Sequence, residues 1–281
     1  MENVILTRLD TLGHPGRMAV FRLLMRRLPD AVPAGAIGRA LGIKPSTLSV
    51  YLSALASAGL IDQRREGTSL LYRARTQAAG EIVDFLFNDC CRGRPETCAP
   101  LGRPLQQGHS AMPDRKYNVL FICTGNSARS IFAETLLRDA AGDRFDVFSA
   151  GTRPYSQLNP FALEVLKAKG HDTSALRAKN VSEFTSPDAP QMDFVFTVCD
   201  QAANEDCPAW DGQPISAHWG MPDPVKAEGT DAQKSLAFQQ AYGALRNRIL
   251  AFTALPLGTL DRISLQQAVD DIALSKPEVS A

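Results

Sequence analysis

The stretch from Tyr117 to Ala140, YNVLFICTGNSARSIFAETLLRDA, constrains this chain more than any other. It opens with an apolar run, Val119-Leu120-Phe121-Ile122, short enough to be a buried parallel strand. It closes with Ile131, Phe132, Leu136 and Leu137 at helical spacing. Between the two lie Cys123, Thr124, Gly125, Asn126, Ser127, Ala128, Arg129 and Ser130. A loop of that length between strand and helix can wrap its N–H groups around a tetrahedral oxyanion, aided by the helix dipole. Arg129 can fork onto two oxygens, and the same field is expected to lower the pKa of Cys123 so that it attacks as thiolate. Asn126 and Ser130 are expected to hold the loop in shape and stabilise that thiolate.

Upstream, Leu6 to Leu28 carries helical apolar spacing interrupted at His14-Pro15. A short helix over Pro33–Leu41 stops at Gly42; a third, opened by Ser46 as N-cap, runs from Thr47 to Ala58 and ends at Gly59. Two short helices joined by a tight turn make a helix-turn-helix, with Ser46, Thr47, Ser49, Tyr51 and Ser53 offered to DNA. Residues 60–73 read as two strands around a Glu-Gly turn, a wing whose Arg64, Arg65 and Arg73 are placed for phosphates. Ala78 to Asn88 is a last helix with Ile82, Phe85 and Leu86 on one face, and it runs into Cys90, Cys91 and Cys98. Three converging thiols suit pyramidal As(III) or Sb(III); tetrahedral Zn(II) wants a fourth ligand that the segment does not show.

Net charge is zero and no apolar run approaches the roughly 20 residues of a membrane span. Without a signal-peptide pattern at Met1-Glu2-Asn3 the chain is expected to be cytoplasmic, with no membrane partner. Six cysteines there suggest ligation or redox chemistry. Residues 99–115 carry three prolines, two glycines and no periodicity, and read as a linker. Beyond it, strands at Phe145–Ala150, Asp193–Val198 and Pro214–His218 alternate with helices at Pro160–Lys169 and Ala232–Phe252; Leu260–Ala273 is a further helix, and the last residues are expected to fray. That alternation specifies a parallel sheet flanked by helices. Cys199 falls at a strand's carboxyl end, where parallel sheets place their chemistry, and Cys207 follows across a polar segment able to change conformation.

Two resemblances follow from these motifs. LGHPGRMAVFRLL, KPSTLSVYLSALASAGLI and RREGTSLLYR resemble the ArsR family of metal-responsive repressors, which implies a homodimer on double-stranded operator DNA. Some arsenite-sensing members have a similar cysteine cluster after the last helix, which implies arsenite held by Cys90, Cys91 and Cys98. CTGNSARS and its strand resemble the low-molecular-weight tyrosine phosphatase fold and, within it, the thiol-coupled arsenate reductases. Here Ile131 stands where those phosphatases have Pro, and Ala128 where some related loops have a second cysteine. The resemblance implies arsenate as substrate, Asp223 of HWGMPDP as general acid, and electron transfer through Cys199 and Cys207. The spacing of the two later cysteines is slightly longer than in some thioredoxin-coupled members. No tightly bound cofactor is implied, only an external reductant, thioredoxin or glutathione with glutaredoxin.

The expected fold class is therefore α/β: a mainly α winged helix-turn-helix followed by a three-layer, parallel-sheet, phosphatase-like domain. Expected bounds are 1–98 for DNA binding and arsenite sensing, 99–115 for the linker, 116–256 for the reductase and 257–281 for a helical tail. Three functions compete: a fused arsenic-responsive repressor and arsenate reductase, a tyrosine phosphatase with a DNA-binding appendage, and a pure regulator whose second half only senses an oxyanion.

Overall fold

The computed structural model describes residues 2–90, 115–186, 188–205, 210 and 212–275. It divides into two compact units, Met1–Gly108 and His109–Ala281.

In the first unit, α1 (Glu2–Leu12) and α2 (Pro15–Arg26) meet at His14, whose Nδ1 accepts from the Gly16 and Arg17 amides. That cap, with Pro15 at the first helical position, restarts the helix where the sequence breaks it. α3 (Ala34–Leu41) ends at Gly42, whose φ of 64° few other residues adopt freely. α4 (Pro45–Ser57) begins earlier than expected: Lys44 is the cap residue and Pro45 opens the helix, so Ser46 lies inside it. Proline at that position starts the helix without a side-chain cap because its missing N–H would be unbonded anyway.

β2 (Ile61–Glu66) and β3 (Ser69–Ala74) form the expected antiparallel hairpin, turned by Gly67 and Thr68. A short third strand, β1 (Val32–Pro33), pairs with β3; two residues leave no periodicity for a sequence reading to detect. α5 (Thr76–Phe85) continues as a π-turn over Leu86–Cys90. The core of the unit holds Val20, Leu23, Leu24, Ile37, Leu52, Leu55 and Ile82.

The second unit is built on a parallel sheet in the order β5-β4-β6-β7, comprising β4 (Tyr117–Cys123), β5 (Phe145–Gly151), β6 (Phe194–Thr197) and β7 (Ile215–His218). The order reverses at β4, so the loop leaving that strand sits at the switch point where open parallel sheets bind ligands. α6 (Arg129–Ala141) follows directly. Ser130 to Leu137 is buried throughout, because α6 packs against β4 and β5 on one side and the long α9 (Asp231–Thr253) on another. α7 (Pro160–Ala168) also lies on α9.

α8 (Asp200–Asn204), a helix of little more than one turn, occupies the polar segment after Cys199. The periodicity of five residues is too short to announce a helix. α10 (Arg262–Leu274) packs on β7, where the Gln266 side chain donates to the Ser216 carbonyl at 2.8 Å and accepts from its amide at 3.4 Å.

An aromatic stack anchors the sheet: Phe196 and Trp219 lie parallel at 4.2 Å, with Phe121 and Phe252 against them. Both tryptophans, Trp210 and Trp219, belong to the second unit, so urea unfolding followed by tryptophan fluorescence reports on that unit alone. Truncating Phe196, wholly buried in this stack, to Ala should lower its stability by about 3–5 kcal/mol; a loss below about 1 kcal/mol would place the core elsewhere.

Candidate active site

Cys123 ends β4, and the chain turns through Thr124–Ala128 into the first turn of α6. The segment after β5 fixes the loop's shape. The carbonyls of Cys123, Thr124, Gly125 and Ser127 accept from the amides of Thr152, Arg153, Tyr155 and Asn159 at 2.9–3.1 Å. Because peptide groups are planar and trans, their opposite N–H edges are turned away from that segment. The Asn126 N–H donates to Cys123 Sγ at 3.1 Å. Gly151, paired with Cys123, must be glycine: a Cβ there would lie 2.7 Å from the Thr124 carbonyl.

Asn126 holds this arrangement from within. It is wholly buried with φ of 44°, a left-handed conformation that asparagine tolerates better than most residues. Its Nδ2 donates to Ser130 Oγ at 2.9 Å and Ser149 Oγ at 2.8 Å, and its Oδ1 accepts from the Lys179 amide at 2.7 Å. With its oxygen already accepting, Ser130 has its proton available for Cys123 Sγ, 2.9 Å away. Ser149 in turn donates to Glu134, whose carboxylate also meets Arg138 and, at 3.0 Å, Lys179 Nζ. A buried carboxylate needs such partners.

The remaining cation faces the loop from α6. Arg129 donates to Asp223 at 2.9 Å and to the Met221 carbonyl at 3.2 Å. Asp223 also accepts from the Val225 amide at 3.3 Å, which fixes it at the start of a short 3₁₀ turn. Cys199, at the end of β6, is buried; its sulfur lies 3.4 Å from Thr124 Oγ1 and accepts from the Ala202 amide at 3.4 Å.

Cys123, Arg129, Ser130, Asn126, Asp223 and Cys199, drawn from distant parts of the sequence, thus converge on one loop. The protonation of Cys123 corrects the expectation of a lowered pKa. Burial pushes the thiol up and the neighbouring Cys199 sulfur adds to that, outweighing the Ser130 hydrogen bond and the Arg129 charge that pull it down. The sequence shows the cation but not the depth of burial, and Arg129 shares its charge with Asp223.

Cys207, Cys91 and Cys98 lie outside the described residues, while Cys90 is exposed at the end of its π-turn. On α4, Ser46, Thr47, Ser49 and Ser53 are exposed, as are Arg64, Arg65 and Arg73 on the wing. Tyr51 differs from expectation: it turns back, half-buried, to pack on the His14 ring at 5.0 Å and fill the space that Gly16 leaves. Ser149, Glu134 and Lys179 were not anticipated. A signal existed for Glu134, a charge four residues after Ser130 amid Ile131, Phe132, Thr135 and Leu136; Ser149 and Lys179 carry no local mark.

Residues 118–258 match the low molecular weight phosphotyrosine protein phosphatase family. The chain belongs to that family. Residues 12–64 match a helix-turn-helix domain, so the chain joins this fold to a phosphatase-family domain. Among curated relatives, an arsenate reductase of Bacillus licheniformis is 37% identical over 138 residues, 49% of this chain and 95% of that protein. Another, of Halalkalibacterium halodurans, is 37% identical over 134 residues, 48% of this chain and 93% of that protein. A solved thioredoxin-dependent arsenate reductase of Corynebacterium glutamicum is 23% identical with a TM-score of 0.35, covering 61% of this chain and 71% of that one.

With the pKa of Cys123 raised, its thiolate fraction grows with pH. Its alkylation by iodoacetamide, followed by peptide mass spectrometry, should therefore accelerate roughly tenfold per unit between about pH 6 and 8. Ser130→Ala removes a hydrogen bond to the anion worth about 1.5 kcal/mol, so alkylation near neutral pH should slow roughly tenfold.

Proposed function

We propose that the chain is a bifunctional arsenic-resistance protein. Residues 116–256 would reduce arsenate, and residues 1–98 would form a homodimeric, operator-binding repressor released by arsenite. The observation that carries the reductase reading is the second buried thiol beside the nucleophile's own loop, Cys199 against Thr124. A hydrolase needs one thiol and water; a reductase needs a second thiol to supply electrons. The curated relatives named arsenate reductase support the same reading.

In this mechanism the backbone N–H groups of Thr124–Ser130 and the Arg129 guanidinium bind arsenate. Cys123 forms a sulfur–arsenic bond as one oxygen leaves as water, with Asp223 supplying the proton. Cys199 attacks Cys123 Sγ; a disulfide forms, the sulfur–arsenic bonding pair stays on arsenic, and As(V) leaves as arsenite. Cys207 then displaces Cys123 from Cys199, and an external thiol reductant, the thioredoxin dithiol or two glutathiones with glutaredoxin, returns two electrons. Cys123 must ionise against its burial, and the Ser130 hydrogen bond and the Arg129 charge are what favour its anion.

A second reading, aryl phosphate hydrolysis, is favoured by the family match and by Tyr155, exposed and packed over Gly125 where a substrate ring could lie. Turnover of p-nitrophenyl phosphate far exceeding arsenate reduction would favour it over the reductase.

For the first unit, exposed serines on α4 and exposed arginines on the wing support DNA binding. Exposed Val4, Val83 and Leu86 on α1, α5 and the π-turn support a paired state. Cys90, with Cys91 and Cys98, would capture the arsenite that the second unit makes.

The thiol sets should be separable. Cys123→Ser should abolish arsenate reduction yet leave DNA release by added arsenite intact, whereas Cys90→Ser should do the reverse; loss of arsenite response in Cys123→Ser would move the sensor to the second unit. On the wing, Arg64→Ala with Arg65→Ala should weaken binding to every DNA sequence. Fluorescence anisotropy should show the slope of log affinity against log salt falling by up to about 1.8, at roughly 0.9 for each phosphate no longer neutralised.

A further inference from the structure

α8 is too short to hold itself. A helix of five residues forms barely one complete turn of hydrogen bonds, and such a turn is unfavourable alone. Yet its first residue follows Cys199 directly, and Cys199 is its cap. Contacts outside the helix must fix it: Ala202 and Ala203 are buried, and at its first residue stands His218.

His218 ends β7, is wholly buried, and stands opposite Thr197 in the parallel register of β6 and β7. Its Nδ1 lies 2.8 Å from Thr197 Oγ1 and its Nε2 lies 3.1 Å from Asp200 Oδ1. A carboxylate can only accept, so Nε2 carries a proton and donates to Asp200. The Thr197 hydroxyl can donate to Nδ1, and in a neutral ring both nitrogens are then satisfied. The imidazole thus bridges the two residues that lie two before and one after Cys199.

The surroundings fix the ring as well. Trp219, next in sequence, donates its amide to the Thr197 carbonyl at 2.7 Å. Gly220 then passes so close that a Cβ would sit 2.4 Å from His218 Nε2 and 3.0 Å from Asp200 Oδ1, so only glycine leaves room for the pair. At the other end of α8, Glu205 meets Arg153 at 2.9 Å, but across an exposed surface where such a pair contributes little.

We propose that His218 is a positioning residue for the second thiol: through Thr197 and Asp200 it fixes the start of α8, and so holds Cys199 buried against the Cys123 loop. This rests on the reading of Cys199 as the resolving thiol. It predicts a division of effects, since His218 bonds residues flanking Cys199 whereas Cys123 is held by Asn126 and Ser130.

The test compares wild type with His218→Ala, Asp200→Ala and Asp200→Asn in the full chain. Iodoacetamide alkylation of Cys123 and Cys199 is timed separately by peptide mass spectrometry. The yield of disulfide at Cys199, with Cys123 or with the Cys207 that displaces it, is measured in a single turnover with arsenate and no external reductant. His218→Ala and Asp200→Ala should raise the alkylation rate of Cys199 at least about fivefold and leave that of Cys123 within about twofold. Disulfide formation should slow by roughly tenfold, and Asp200→Asn, which keeps an oxygen acceptor, should recover most of it. Should His218→Ala fail to fold, Asp200→Ala still decides, because its side chain is 64% exposed and removes no core. Unchanged Cys199 alkylation in the folded variants, or equal acceleration of both thiols, would overturn the proposal. A wild type that forms no disulfide with arsenate would refute the reductase reading alone, because the alkylation split needs no turnover.

Discussion

The side chain of Asn126 is the point on which the shape of the loop after β4 depends. One buried amide joins the loop after β4 to α6 through Ser130, to β5 through Ser149 and to the Lys179 backbone, while the residue's own N–H reaches the Cys123 sulfur. Both the nitrogen and the oxygen of that side chain are engaged in a buried place, where each missing partner would cost about 1–3 kcal/mol. The network therefore tolerates few alternative loop shapes. The strained φ of 44° persists because the surroundings over-determine it.

The loop is also where competing electrostatic demands meet. A nucleophilic thiol requires a nearby positive charge, but a buried thiol resists ionising, and here burial wins. Arg129 is already paired with Asp223, so part of its field is directed at its own counterion. The loop carbonyls, for their part, are all held by one segment, residues 152–159. Bonding four carbonyls on one side turns the opposite amides away from that segment, and one of them, Asn126 N–H, meets the Cys123 sulfur.

Much of this architecture was legible in the residues. The strand–loop–helix unit showed because a change from an apolar run to helical spacing brackets the turn from Cys123 to Ser130, and the helix-turn-helix showed because Gly42 and Gly59 punctuate it. What stayed hidden depends on non-local contact. β1 is two residues long and exists only through its pairing with β3. Tyr51 has the spacing of an exposed residue, yet the missing side chain at Gly16 draws its ring inward. The lift in the Cys123 pKa needed the depth of its burial, and Ser149 joins the site only through a parallel register that places it opposite Phe121. Charge and periodicity are local properties, whereas desolvation and register are not.

Gln266 has a consequence for association. Among the described residues β7 is the last strand of its sheet, and a bare edge would present unpaired amides and carbonyls to any extended chain. The Gln266 carboxamide, a planar group with the donor and acceptor of a peptide bond, occupies both backbone groups of Ser216 as a neighbouring strand would. α10 therefore acts as a stopper on that side of the sheet. Strand addition at β7, whether by a second copy or by a peptide, would first have to displace a helix whose Val269, Leu265 and Ile272 are buried in the core.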